Sequence, residues 1–149
     1  MLVPGKAHAV RPGEGRVADM GAVQMRLIAG GEAVTGQAFT LSEFTGSGGP
    51  WTVPHVHRST QESFFVVEGE FTFTVGDETI ELSAGGYVLV PPDTRHMIHA
   101  GPGGGRLLAL MVPGGLEDMF FALSELPPGG LTDPAVRASI SDRFDSVPA

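Results

Sequence analysis

The 149-residue chain has no cysteine, which excludes both disulfides and thiolate metal ligands. Basic residues are scarce: 9 Lys and Arg stand against 17 Asp and Glu, for a net charge of −8 and a pI near 4.9. Such a surface repels phosphate, and no basic stripe offsets it, so nucleic acid is not an expected partner. Long apolar runs are missing too. The longest, such as Phe64–Val67 and Leu107–Val112, fall far short of the ~20 residues a membrane-spanning helix needs, and no membrane partner is expected. Residues 1–8 lack the basic-then-apolar layout of a signal peptide, which makes the cytoplasm the expected compartment. The Gly-rich stretches 46–49 and 101–105 neither open a helix nor carry the lysine of a phosphate-binding loop. Ser59 and Thr60 have no oriented base beside them in the sequence, so a turn role is expected there rather than nucleophilic catalysis. No long-period repeat is present, which argues against a propeller or solenoid.

What the chain does have is 22 Gly, 12 Pro and 42% hydrophobic residues, a composition suited to many short strands joined by tight turns. Residues 1–20 read as an arm, 21–112 as a β-barrel and 113–149 as a short C-terminal helical segment, together one domain. Strands are expected over Gln24–Ile28, Gly36–Phe44, Trp51–His57, Glu62–Val67, Glu70–Val75, Thr79–Leu82, Tyr87–Val90, Arg95–Ala100 and Arg106–Val112. Turn signals separate them, among them Gly76-Asp77, Pro91-Pro92-Asp93 and Gly101 to Gly105. After Pro113 the periodicity changes. Leu116, Met119, Phe120, Leu123 and Leu126 recur at three and four, which predicts an amphipathic helix over 116–126. A second helix should start with Thr132 or Asp133 as N-cap and Pro134 near its first position, with Val136, Ile140 and Phe144 on one face. Both helices are expected to cover the barrel or a partner subunit.

The chemistry-bearing residues lie in the barrel. His55 and His57 are two apart, and in a strand that spacing points both rings to one face. Glu62 follows after a segment long enough to turn the chain, and His96 lies on a later strand. Three imidazole nitrogens and one carboxylate make a donor set for one mid-series divalent metal per chain, with Mn, Fe, Co, Ni, Cu and Zn all admissible. His99 is three residues from His96, so alternation sends it to the opposite face and outside the site. His8 has no chemical context, and solvent is its expected environment.

Gly49, His55, His57, Glu62 and Gly69 fall on every position of the first cupin motif, G-x5-H-x-H-x4-E-x6-G. Gly85, Pro91 and His96 match the second, G-x5-P-x-G-x2-H-x3-N, with Asp93 in place of its middle glycine and Ala100 in place of its final asparagine. Asp tolerates the positive φ of a turn better than most residues, so Asp93 keeps that turn feasible. Ala100 removes an amide that would tie down local backbone. The chain thus resembles the cupin superfamily over about residues 36–112. The resemblance implies an all-β double-stranded β-helix, or jelly-roll barrel, with His55, His57, Glu62 and His96 as metal ligands inside it.

Strand parity with those ligands points Trp51, Val53, Phe64, Val66 and Ile98 inward, and Phe39, Phe73 and Met111 are expected to join them from neighbouring strands. Such apolar walls suit a flat aromatic small-molecule substrate. The layout, with a Phe-Phe-Val-Val-Glu-Gly run and the helix after the last strand, is similar to single-domain cupins related to quercetin (flavonol) 2,3-dioxygenases. That resemblance implies dioxygen-dependent cleavage of a flavonol-like or other enol, with Glu62 as catalytic proton acceptor, and family habit implies a homodimer. Two alternatives stay open at this point: a non-oxidative metal-dependent cyclase or isomerase, and a small-molecule-binding module with a structural metal.

Overall fold

The computed structural model describes residues 3–129, 131–141 and 143–149. The chain runs β1 (Val17–Asp19), β2 (Val23–Ala29), α1 (Glu32–Thr35), β3 (Thr40–Gly46), β4 (Gly49–Pro50), β5 (His55–Val56), β6 (Gln61–Val75), β7 (Glu78–Leu82), β8 (Tyr87–Val90), β9 (His96–Val112), α2 (Glu117–Ser124), α3 (Pro134–Ser141) and β10 (Val147–Pro148). These strands form one hydrogen-bonded network, and every pairing between them is antiparallel. The fold is the cupin jelly roll, as an open-edged sheet with short helices rather than a fully closed cylinder.

The centre of the architecture is the pair β6 and β9, in register from Gln61 opposite Val112 to Val75 opposite His96. Two register shifts, at Val66/Glu68 and Gly69/Phe71, bend this ladder instead of breaking it. The four strands expected over 62–67, 70–75, 95–100 and 106–112 are therefore two long ones. The expected turn at Gly101 to Gly105 is strand throughout. Glycine marks a close approach here: at Gly69 (φ 89°) a Cβ would collide with the Gly104 carbonyl oxygen, and at Gly105 it would enter the Phe71 ring.

Other boundaries also shift. The N-terminal arm ends in β1, which pairs with β2 and buries Ala18. The strand expected from Gly36 begins at Thr40, because 32–38 coil into α1 and a turn with left-handed Gly36 and Gln37. Of the single strand expected over 51–57 only the two-residue β5 forms, with the equally short β4 just before that span. Inside the sheet, Trp51, Phe64, Val66, Phe71, Phe73, Leu107 and Met111 form a buried core, with Trp51 edge-on to Phe71 at 4.9 Å.

The C-terminal segment closes one end. α2 buries Met119, Phe120, Phe121 and Leu123, with Leu116 buried just before it, and Phe120 meets Phe44 edge-on at 5.0 Å. Its buried Glu117 carboxylate accepts from Gly31 N at 3.0 Å, Gly115 N at 2.9 Å and Thr40 Oγ1. Asp133 caps α3, its Oδ1 accepting from Ala135 N at 2.9 Å and Val136 N at 3.3 Å. β10 then pairs with β5, placing Pro148 opposite His55. Among the described residues no helix is long and apolar enough to cross a membrane.

Candidate metal centre

Three elements converge on the site. His55 lies on β5, and His57 follows it one residue past the strand end. Glu62 is the second residue of β6, and His96 the first of β9. His55 and His96 are direct cross-strand partners, with ring centroids 4.2 Å apart. Alternation works as expected over 55–57, where both histidines are buried and Val56 is less so. It also separates His96, 1% exposed, from His99, which faces solvent. The turn ahead of His96 carries Asp93 at φ 59°, the left-handed conformation that aspartate was expected to tolerate there. Ala100 is fully buried opposite Gly49 and Phe71. His8 is exposed but not free, its Nε2 lying 2.9 Å from the Ile28 carbonyl.

One ligand-type atom from each of His55, His57, Glu62 and His96 lies within 4.8 Å of the others, all four residues buried. Each imidazole is anchored on its far side. His55 Nδ1 is 2.6 Å from Val53 O, His57 Nδ1 2.6 Å from Asp145 O, and His96 Nδ1 2.9 Å from Thr94 O. A carbonyl only accepts, so Nδ1 carries the proton in each ring, and in the neutral tautomer Nε2 turns a lone pair away from the backbone. Glu62 Oε1 sits 3.1 Å from His96 Nε2 and 3.4 Å from His57 Nε2. Lone pairs facing a carboxylate at these distances, away from water, require a cation or proton among them. The four residues therefore fit a divalent metal ion.

The electrostatics point the same way. Burial, aided by the Arg137 charge and the neighbouring imidazoles, pushes His55 well below the usual histidine range. Burial also opposes the charge on His57, but Glu62 and the Asp145 carbonyl outweigh it and raise that ring. For Glu62, burial disfavours the ion, yet His57 and His96 hold its carboxyl well below the usual carboxylate range. Glu62 is thus ionised within the cluster.

The cluster opens on a cavity walled by Val23, Phe44, Trp51, Phe64, Ile98 and Leu107 from the barrel, and by Phe120, Leu131 and Arg137 from the C-terminal segment. Its free volume is only about 20 Å³, room for roughly one water. Of the residues expected on the wall, Trp51, Phe64 and Ile98 are there. Phe39 is 37% exposed, since its strand starts only at Thr40 and a turn carries Phe39 outward. Val53 sits in irregular chain between β4 and β5, where strand parity does not apply, and Thr52 takes the wall position. Phe73, Val66 and Met111 are buried in the packed barrel but do not line the cavity.

Two residues were not anticipated. Asp145 supplies the carbonyl for His57, and its carboxylate accepts from Arg58 N at 2.7 Å, Ser59 N at 2.9 Å and Thr60 Oγ1 at 2.8 Å, which organises the turn between His57 and Glu62. Arg137, 2% exposed, is a cation on an otherwise apolar wall. Its position three residues before Ile140, on the buried side of α3, was the available signal.

Residues 45–113 match the cupin domain family. The chain is 27% identical to a quercetin 2,3-dioxygenase of Bacillus subtilis over 79% of its own length and 35% of the relative's. It is 32% identical to that of Aspergillus japonicus over 60% of its length and 27% of the relative's. The chain thus spans about a third or less of the curated relatives it matches. The structure of KdgF from Halomonas sp. superposes on 76% of this chain and 99% of its own with a TM-score of 0.67, at 21% identity, a likeness of fold alone. With the fold and the four-residue cluster, these matches make the protein a member of the cupin superfamily. Within it, the chain is similar to part of the quercetin 2,3-dioxygenases.

Proposed function

We propose that the protein is a metal-dependent dioxygenase acting on a small molecule with an acidic enol or phenol hydroxyl. The observation that carries this reading is the convergence of three Nδ1-anchored imidazoles and one ionised carboxylate on an otherwise largely apolar cavity. Its likeness to dioxygenases supports the reaction class. Held by His55, His57, Glu62 and His96, one divalent transition metal would supply the Lewis acidity that acidifies a substrate hydroxyl and the site at which dioxygen reacts.

The chain's own contributions follow from its geometry. Glu62 is the only carboxylate on the cavity wall among the described residues, so it is the group placed to take the hydroxyl proton. Trp51, Phe64, Phe44 and Phe120 offer ring faces and edges to an unsaturated substrate and keep water out. A cavity of about 20 Å³ is far below the ~300 Å³ of a site for a drug-sized ligand. A substrate must therefore displace part of the wall, and a small enol suits the site better than a three-ring flavonol. A homodimer belongs to the same proposal. Its expected contact is the outward face where Phe65, Tyr87 and Leu89 stand exposed on paired strands β6 and β8.

The experiment is elemental analysis of protein produced in metal-replete medium, followed by oxygen-electrode assays on flavonols, hydroxybenzenes and small enols. Metal near one equivalent per chain with oxygen uptake matching substrate loss is the expected result. Substrate turnover without oxygen uptake would point to the non-oxidative cyclase or isomerase class. Metal without any turnover would leave a binding module.

A further inference from the structure

Among the described residues that line the cavity, Arg137 is the one charged side chain outside the four-residue cluster. It projects from α3, is 2% exposed, and lines the cavity with His55, His57 and Glu62. Its Nη2 donates to Ser146 Oγ at 2.5 Å. Its Nε and Nη1 are buried and meet no acceptor among the described residues. No carboxylate lies within ion-pair distance of it among the described residues. Glu62, the acid on the wall, turns Oε1 to His57 and His96 instead.

A guanidinium taken out of water without a counter-charge destabilises a fold, and buried N–H donors without acceptors add to that cost. Simple packing would be better served by methionine or leucine. The unused donors pose a requirement that the described residues leave unmet: an anion. Guanidinium donors suit the planar oxygens of a carboxylate.

We infer that Arg137 receives the carboxylate of the substrate, which is therefore a small hydroxy- or enol-carboxylic acid, a hydroxybenzoate or the enol of a keto acid being the type. The carboxylate meets Arg137, and the hydroxyl meets the Glu62 end of the same narrow cavity. The hydroxyl half of this assignment rests on the proposed function, whereas the carboxylate half stands on Arg137 alone.

The test is calorimetric titration of the full chain, at measured metal content, with 2-hydroxybenzoate and its neutral analogue 2-hydroxybenzamide. The wild type should bind the acid about tenfold or more tightly than the amide, the scale of one charge-assisted contact. Arg137→Met should abolish that preference by weakening the acid far more than the amide, leave metal content unchanged, and keep or raise the Tm, because an unpaired buried charge is removed. Arg137→Lys should restore part of the preference. Equal affinity for acid and amide in the wild type would overturn the inference even if no variant were soluble. So would a preference that survives in Arg137→Met, or a Tm drop with equal loss of both ligands, which would mark Arg137 as structural. Absent metal or absent oxygen uptake would defeat the dioxygenase reading and leave the acid preference standing. Oxygen uptake on neutral enols without acid preference would defeat only this inference.

Discussion

The barrel and the C-terminal segment hold their shapes by different means. The barrel is a continuous ladder: β6 and β9 pair along almost their whole lengths, and the apolar residues on its inner face are buried. Beyond Pro113 come two helices of 8 residues each, too short to persist alone in water. They are fixed by apolar burial and by individual polar ties. Glu117 binds α2 to Gly31 and Thr40, Asp145 binds the tail to the turn after His57, and Arg137 meets Ser146. The difference is one of division of labour. The barrel sets where the four cluster residues stand, while the segment sets what can lie beside them.

Mutations at the barrel cluster should therefore act on metal and chemistry, and mutations in the segment on stability and tuning. The sharpest contrast is within β9. His96→Ala should abolish stoichiometric metal in elemental analysis, whereas His99→Ala should keep it and change stability by less than about 0.5 kcal/mol. Equal loss in both, or in neither, would break the assignment. Next in size is Glu62→Gln, which keeps the shape and one oxygen donor but is not basic. Three imidazoles should still retain the metal, while turnover of a hydroxyl-bearing substrate falls by about 10²–10⁴. Full activity in that variant would remove Glu62 as the base.

In the segment, Phe120→Asp should destabilise the protein by about 4 kcal/mol in denaturant titration, through loss of the Phe44 contact and burial of an unpaired charge. An unchanged midpoint would mean that α2 does not seal the barrel. The smallest effect is expected from Asp145→Asn. Burial opposes the Asp145 charge, but its bonds from Ser59, Thr60 and Arg58 hold the carboxyl below the usual range. A depressed folded pKa gives stability that is present above the ordinary aspartate value and lost as pH falls through the folded one. Wild type should thus exceed Asp145→Asn by about 1 kcal/mol at neutral pH, partial exposure having been discounted, with the gap closing below about pH 4. Acid-unfolding curves of the two proteins measure this directly. The tie to His57 is made by the Asp145 backbone carbonyl, which the substitution keeps, so metal content should be unchanged in the variant.

Legibility in the sequence follows the same division. His55, His57, Glu62 and His96 could be placed because strand parity and motif spacing are local rules, and the ladder around them obeys those rules. Asp93 could be foreseen for the same reason: a turn position demanding positive φ leaves its mark on residue choice. The continuity of β6 and β9 could not, because the glycines that permit two backbones to approach are the same residues that signal turns. Phe39 and Val53 failed where strand parity was extended into chain that is not strand. Arg137 and Asp145 act at sequence separations near 80 residues or more from the groups they serve, through contacts that no local period records.

Trp51 gives the cavity an optical voice. It is the only tryptophan in the chain, 1% exposed, with its indole N–H donated to Ser47 O at 2.8 Å and one face of its surroundings formed by the cavity itself. Emission excited near 295 nm, where tryptophan alone absorbs, therefore comes from a single indole at the site. Any ion or ligand that enters must change that indole's local field or quench it, so occupancy can be followed without a label.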